Sequence, residues 1–416
     1  MIEFHSDRSS CPIMLTGRTG GKTKVAMGPL SFDSTRLPSP FEADSHRAWR
    51  KTVREFVERE IIPNVNAWDE AGGFPRDLHR KAAAIGLLGL GYPETYGGIS
   101  EGVDVFHAIA ASEELARAGS GGLIAALMTH NIGLPPIIAL GSEAMKARVA
   151  PAVLSGQKLI ALCVTEPSGG SDVANIRTRA ERRGGSFVVN GEKTLITTGM
   201  RADYLTVAVR TGGAGAGGVS LLLIEADRPG VARAKLDKMG WWMSDTASIR
   251  FDDVAVPAEN LIGLENAGFV GIVANFNGER LGMAAQAVAF ARVCLEDAAE
   301  WATARETFGK PLVKHQSIRH KLAEMARRVY AATALLDHCA FRIRNGETPV
   351  DEIALLKVEA TRTMEYCARE AMQILGGAGF IRGCRVERIY REVRVMAIGG
   401  GSEEIMLDLA ARRLGL

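Results

Sequence analysis

From Phe41 to about Lys158, apolar positions recur every three or four residues with charged residues between them, the spacing that gives an α-helix one apolar stripe. Trp49, Val53, Phe56, Val57 and Ile61 form the clearest stripe, with Arg and Glu on the opposite face. Further helices are predicted around 76–87, 104–118 and 143–155, separated by turn signals such as Gly72-Gly73 and Gly97-Gly98. Near Leu159 the period changes to two. Ser186-Phe187-Val188-Val189 runs into Asn190-Gly191, the strongest short hairpin signal, and Lys193-Thr194-Leu195-Ile196-Thr197 follows. Strands near 203–210, 218–225 and 247–256 continue this segment. Strands with few helices between them imply an antiparallel sheet or barrel and disfavour a doubly wound nucleotide-binding fold. After Gly263 long helices return, broken at Gly309-Lys310-Pro311, Asn345-Gly346 and Gly376-Gly377, as in a bundle.

The expected fold class is therefore mainly α with a central β domain (α+β). A flexible tail is expected over 1–38, an N-terminal helical domain over 39–158, a middle β-barrel-like domain over 159–266 and a C-terminal helical bundle over 267–416. The tail carries Pro, Gly and Ser with little periodicity. Glu3 and Asp7 oppose a transit peptide, and the short apolar pieces are not a secretory core, so a cytoplasmic location is expected rather than the mitochondrial matrix.

Composition narrows the function. With 47% hydrophobic and 24% charged residues and a net charge of +2 over 416 residues, the chain has the balance of a soluble globular protein. It has no block of like charges to suit nucleic acid. Cys11, Cys163, Cys294, Cys339, Cys367 and Cys384 lie far apart, which argues against a disulfide framework or a structural metal. The uncharged stretch from Ala118 to Ser142 is long enough to span a bilayer, but Thr129, His130 and Asn131 at its middle and Pro135-Pro136 predict two core helices around a turn.

Gly212 to Gly218 lacks a following helix, and Gly376-Gly377-Ala378-Gly379 follows a helix rather than a strand, so neither is a dinucleotide fingerprint. The loop Thr165-Glu166-Pro167-Ser168-Gly169-Gly170-Ser171-Asp172 offers hydroxyls and amides to a polar ring edge or a phosphate, and taken alone is equally an ordinary turn. Ile272, Phe276, Glu279 and Met283 share one helix face, which puts a carboxylate on an apolar stripe. Such a carboxylate suits a general base, and a structural ion pair with Arg280 or across helices explains it as well. Trp241-Trp242 reads as packing more readily than as a pocket wall.

The run Leu162-Cys163-Val164-Thr165-Glu166-Pro167-Ser168-Gly169-Gly170-Ser171-Asp172 resembles the first signature of the acyl-CoA dehydrogenase family. Asn190-Gly191-Glu192-Lys193 with Ile196-Thr197, Ser244-Asp245-Thr246, Arg305-Glu306-Thr307-Phe308-Gly309-Lys310, Gln373-Ile374-Leu375-Gly376-Gly377-Ala378-Gly379-Phe380 and Gly400-Gly401-Ser402 resemble its later blocks in order, and the resemblance covers the chain from about residue 40 to the end. The resemblance implies a homotetramer binding FAD. It assigns Val164, Thr165, Ser171 and Thr197 to the flavin and its pyrophosphate. It assigns Arg305, Thr307, Phe308, Gln316, Gln373 and Gly377, with Ser402 and Glu404, to the rest of the cofactor, commonly across a subunit boundary. Ser171 and Arg280 also match substrate-contacting positions.

There are two departures. Leu195 stands where many members place an aromatic against the flavin. Where medium- and short-chain members carry their base near the C-terminus, this chain reads Ile398-Gly399-Gly400-Gly401-Ser402. In isovaleryl and long-chain members the base comes from a Glu-Arg-Leu on the first bundle helix, here Glu279-Arg280-Leu281, the residue the helical face also selects. The implied reaction is α,β-dehydrogenation of an acyl-CoA, with Glu279 as base and the Gly400 N–H on the thioester oxygen. A medium-to-long acyl chain and an electron-transfer flavoprotein as acceptor are expected. The rival readings are a branched or isoprenoid acyl-CoA, and a flavin oxidase or monooxygenase on the same scaffold.

Overall fold

The computed structural model describes residues 30–416, so Cys11 and most of the expected tail lie outside the described residues. In chain order the helices are α1 (Asp44–Phe56), α2 (Val65–Ala71), α3 (Asp77–Ala84), α4 (Val105–Ala116), α5 (Gly121–Leu127), α6 (His130–Gly133), α7 (Pro135–Leu140) and α8 (Glu143–Leu154). After the sheet come α9 (Gly268–Ala304), α10 (Gln316–Arg344), α11 (Val350–Leu375), α12 (Arg385–Ile398) and α13 (Glu403–Arg413). Helical segments thus flank a central sheet, as the periodicity predicts. The chain gathers into two compact units. Among the described residues, one holds 30–67, Asp104–Gly121 and Arg280–Leu416; the other holds Trp68–Val103 and Gly122–Glu279. The N-terminal helical segment is therefore divided between the units, and α9 passes from one to the other at Glu279-Arg280.

In the helical unit, α11 shows why its sequence folds as it does. Ile353, Leu356, Ala360, Met364, Cys367, Ala371 and Ile374, at spacings of three and four, are all buried. The apolar stripe of α1 continues through a π-helical turn, Val57–Ile61, that keeps Val57 and Ile61 inside. Ahead of it, residues 30–38 are anchored rather than loose. Phe32 is 1% exposed, its ring lies between the guanidinium groups of Arg117 and Arg292, and its carbonyl accepts from Arg292 Nη2 at 2.6 Å. Arg292 also donates to Glu113 Oε1 at 2.9 Å, and Arg50 to Glu113 Oε2 at 2.6 Å. Burial opposes ionising Glu113, but these cations outweigh it and hold the carboxyl at about 2. The tail expectation missed this segment because one aromatic and a few charges carry no periodicity.

In the sheet unit, β1 (Ile160–Cys163), β2 (Arg179–Arg183), β3 (Ser186–Thr197), β4 (Tyr204–Arg210), β5 (Val219–Glu225), β6 (Val231–Lys235), β7 (Thr246–Pro257) and β8 (Leu261–Ile262) are ordered β6-β7-β3-β2-β4-β5-β8, with β1 beside β4. Pairing is antiparallel except at β1–β4 and at a single β2–β4 bridge. The hairpin expected at Asn190-Gly191 is not there. β3 runs unbroken through both residues, and the β2–β3 turn falls at Gly184-Gly185. Asn190-Gly191 instead lies opposite a bulge of β7 at Asp252-Asp253, and a Cβ on Gly191 would lie 2.6 Å from Thr178 Cα. The Asn190 amide pairs with Asp253, so the dipeptide meets its backbone demands across strands.

Between Ala118 and Ser142 the chain forms the short helices α5, α6 and α7, with Leu123, Ile124, Leu127, Leu134 and Ile137 buried. Among the described residues no single helix is long and apolar enough to cross a membrane. Cys163, Cys294, Cys339, Cys367 and Cys384 are free thiols, all buried.

Candidate active site

The loop after β1 is the best-defined polar element of the sheet unit. Glu166, Pro167, Ser168 and Gly169 make a tight turn closed from both ends, with Glu166 N–H on Gly169 O at 3.2 Å and Gly169 N–H on Glu166 O at 3.0 Å. The Glu166 side chain points inward and is 4% exposed. It accepts from Arg177 N–H at 2.6 Å, Thr178 N–H at 2.9 Å and the Lys193 ammonium at 2.7 Å. Burial opposes its charge, yet Lys193 and these donors hold the carboxyl below its usual range. Lys193 also donates to Val164 O at 3.0 Å, and Thr194 N–H to Thr165 O at 2.9 Å. These bonds lay Val164-Thr165 beside the end of β3 that carries Thr197. Ser171 stands exposed at the end of the same loop.

Between Lys193 and Ile196 the β3–β7 register shifts, and Leu195 leaves the ladder at φ 58° with 63% of its surface exposed. A bulge re-aims a side chain in this way. Asp245 fastens the next turn. Its Oδ2 accepts from Met200 N–H at 2.7 Å and its carbonyl from Thr198 N–H at 2.9 Å. Thr198 Oγ1 and Asp245 Oδ1 are buried without a hydrogen-bond partner among the described residues. Such an atom costs about 1–3 kcal/mol, so this corner fits a polar ligand edge or a bound water. A cavity of about 410 Å³ in this unit, lined by Arg76, Lys158, Arg201, Asp203 and Arg233 among others, contains none of the residues the sequence selects.

In the helical unit, Arg305, Thr307 and Phe308 are gathered on a small hairpin of Glu306–Thr307 and Lys310–Pro311. Phe308 sits at its tip, at φ 51° and 96% exposed. Gln316 opens α10 just beyond, and His315 Nε2 lies 3.4 Å from Thr307 Oγ1. Gln373 and Gly377 are exposed at the end of α11. Ser402 caps α13 by accepting from Ile405 N–H, and Glu404 is exposed in its first turn. Arg280, 9% exposed, donates from Nε to Gly400 O at 3.1 Å. On α9, Ile272 is buried, while Phe276, Glu279 and Met283 are half-buried, so Glu279 is less enclosed than the stripe suggests.

Comparison with known proteins decides the family. Models of the acyl-CoA dehydrogenase N-terminal, middle and C-terminal domains match residues 43–157, 161–254 and 266–415. The chain belongs to the acyl-CoA dehydrogenase family. It is similar to acyl-CoA dehydrogenase AFT10-1 of Alternaria alternata, 40% identical over 88% of this chain and 90% of that one. A probable acyl-CoA dehydrogenase from Mycobacterium abscessus has a similar structure, with a TM-score of 0.88 and 50% identity over 90% of this chain and 99% of that one. A glutaryl-CoA dehydrogenase from Mycobacterium smegmatis, solved in complex with FADH2, gives a TM-score of 0.86 at 28% identity over 94% and 98%. The chain is thus an FAD-dependent oxidoreductase acting on CH–CH bonds.

Some working parts of this dehydrogenase escaped the sequence reading. Lys193 carried a signal. Phe187, Val189, Gly191 and Lys193 alternate onto one face of β3, so a charge there had to find a buried partner. Asp245 lay inside a recognised block, but its grip on the Met200 turn depends on a register no motif states. His46, Asp104 and His107 also converge, yet both ring nitrogens of His46 and Nδ1 of His107 are engaged in hydrogen bonds around the starts of α1 and α4.

Proposed function

We propose that this dehydrogenase converts a medium-to-long-chain acyl-CoA thioester to the trans-2-enoyl-CoA and passes the electrons to an electron-transfer flavoprotein. The observation that carries the assignment of roles is at Gly400. A Cβ there would lie 2.7 Å from Met283 Sδ, and Gly400 has a φ of 67°, so the turn is built for a residue with no side chain. The base must then come from elsewhere, and Glu279, in the Glu279-Arg280-Leu281 run, is the candidate.

Glu279 takes the α-proton as general base. The α-carbon is a weak acid, and the Gly400 N–H lowers the barrier by donating to the thioester oxygen as negative charge builds there. Bound FAD supplies the acceptor for the β-hydrogen, which leaves with its electron pair as hydride. Val164, Thr165, Ser171 and Thr197 hold the flavin from the sheet unit. Arg305, Thr307, Phe308, Gln316, Gln373, Gly377, Ser402 and Glu404 serve the cofactor from a neighbouring subunit of a homotetramer. The exposure of Phe308, Gln373 and Gly377 supports that assembly. Ser171 and Arg280 contact the substrate. The five buried free thiols among the described residues suit a reducing cytoplasm.

Anaerobic mixing of the flavin-loaded protein with straight and branched saturated acyl-CoAs tests the proposal. Bleaching of the visible flavin band should be fastest with straight medium-to-long chains. Fastest bleaching with branched chains would move the substrate class, and none with any acyl-CoA would sink the reaction. One observation favours a second reading: Leu195 stands where many members have an aromatic, and an aliphatic side chain covers less of a flavin than an aromatic one does. Rapid reoxidation of reduced enzyme by oxygen would support oxidase or monooxygenase chemistry.

A further inference from the structure

Lys357, on α11, is completely buried. Its ammonium donates to Gly401 O at 2.6 Å and to Ala397 O at 3.3 Å. Ala397 lies in the last turn of α12, and Gly401 precedes Ser402, the N-cap of α13. One buried cation therefore joins the end of one helix to the start of the next. It satisfies an orphan carbonyl and complements the α12 dipole. The segment it spans holds three glycines, with Gly400 at φ 67° and Gly401 at φ 108°. Glycine loses the most conformational freedom on ordering, so this turn would be loose unless gripped.

The grip is specific. Arg280 Nε holds Gly400 O, Lys357 holds Gly401 O, and Gly399 N–H is fixed on Val395 O at 2.8 Å. A trans peptide is rigid and planar, so anchoring these neighbours leaves the Gly399–Gly400 peptide little room to rotate. That peptide carries the Gly400 N–H. An apolar side chain would fill the Lys357 site without the cost of burying an ammonium, so helix packing alone does not call for lysine here.

We propose that Lys357 is a positioning residue: it locks the Gly399–Gly401 turn so that the Gly400 N–H is aimed at the thioester oxygen. This rests on the reaction proposed above. The role of Lys357 is to set the direction of the donor rather than to transfer a proton.

The test uses flavin-loaded wild type, Lys357→Met and Lys357→Gln, with 3-thiaoctanoyl-CoA as probe. Sulfur at the β-position lets the α-proton leave but offers no β-hydride, so the bound enolate persists and gives a long-wavelength charge-transfer band with oxidised flavin. Removing an oxyanion donor costs about 10²–10³ in rate, so misaiming one should lower kcat with octanoyl-CoA roughly tenfold or more. KM should stay close to that of wild type. Lys357→Met should bind the probe but show a weaker band, recovered only at higher pH, with faster hydrogen exchange over 397–402. Lys357→Gln, which keeps one neutral donor, should lie between, and covers the case in which the methionine variant does not fold. A wild-type band that is unchanged in both variants would overturn the positioning role alone. If wild type gives neither a band with the probe nor bleaching with any acyl-CoA, the reaction and the positioning role fall together.

Discussion

Lys193 Nζ lies 2.7 Å from Glu166 Oε1, and neither residue is more than 4% exposed. The pair fastens the strand carrying Leu195 and Thr197 to the loop carrying Thr165 and Ser171. Lys193→Met would strand a buried carboxylate, a loss of about 3–5 kcal/mol by the usual cost of breaking a buried pair from one side. Urea unfolding should show a lower midpoint, and purified protein should hold less flavin. Adding Glu166→Gln should restore much of the stability. The acid limb gives a second reading. Because Glu166 is held below its usual range, its contribution is present above the unfolded carboxyl pKa and is lost as pH falls through the folded value. Lys193→Met should flatten that limb.

Two buried histidines make a different acid prediction. Burial pushes His79 down to about 4, and burial with the neighbouring His79 pushes His130 to about 3. Both are neutral in the fold at pH 7. The unfolded chain binds their protons from about pH 6.5 downward, so stability is full above that value and declines as pH falls toward the folded values. Each histidine should cost about 1.4 kcal/mol per pH unit within its window. Melting temperatures between pH 4.5 and 7.5 should fall on the acid side, and His79→Gln should reduce the slope. A flat profile above pH 5 in wild type would contradict this.

Glu279→Gln should keep its flavin and lower the rate of bleaching by acyl-CoA by roughly 10²–10⁴-fold, the usual contribution of a general base. Stopped-flow reduction under anaerobic conditions reads it directly. Near-normal reduction would move the base elsewhere, with Glu403 and Glu404 the next to replace.

Leu195 stands out of its strand on the bulge, and an aromatic there should shield the flavin. Leu195→Trp should slow reoxidation of the reduced enzyme by oxygen severalfold while acyl-CoA reduction changes little. Equal rates of reoxidation in both proteins would show that this side chain does not control oxygen access.

The helix–sheet–helix order was legible because each region keeps one period for long stretches, and the stripe of α11 is a full example. The Thr165–Asp172 loop was legible as a polar cluster, and Glu279 as a charge on an apolar face. What could not be read from neighbouring residues was whatever depends on register or on contacts distant in sequence. Asn190-Gly191 has the chemistry of a hairpin turn, yet lies inside a strand opposite a bulge of β7, and the chain turns at Gly184-Gly185 instead. Lys357 falls on the buried stripe of α11, but which groups its charge serves cannot be seen until the end of α12 is placed over it. The division of the N-terminal helices between two units follows from long-range packing that periodicity does not encode.

Phe32, wedged between two guanidinium groups, lies ahead of residue 43, where the family match begins. The N-terminal domain model therefore leaves out a residue that this chain buries. A gene trimmed to the matched region would encode a chain whose interior cation, Arg292, has been stripped of its carbonyl acceptor and its ring. Such a product should melt at a lower temperature than the full chain, because a buried guanidinium loses part of its hydrogen bonding.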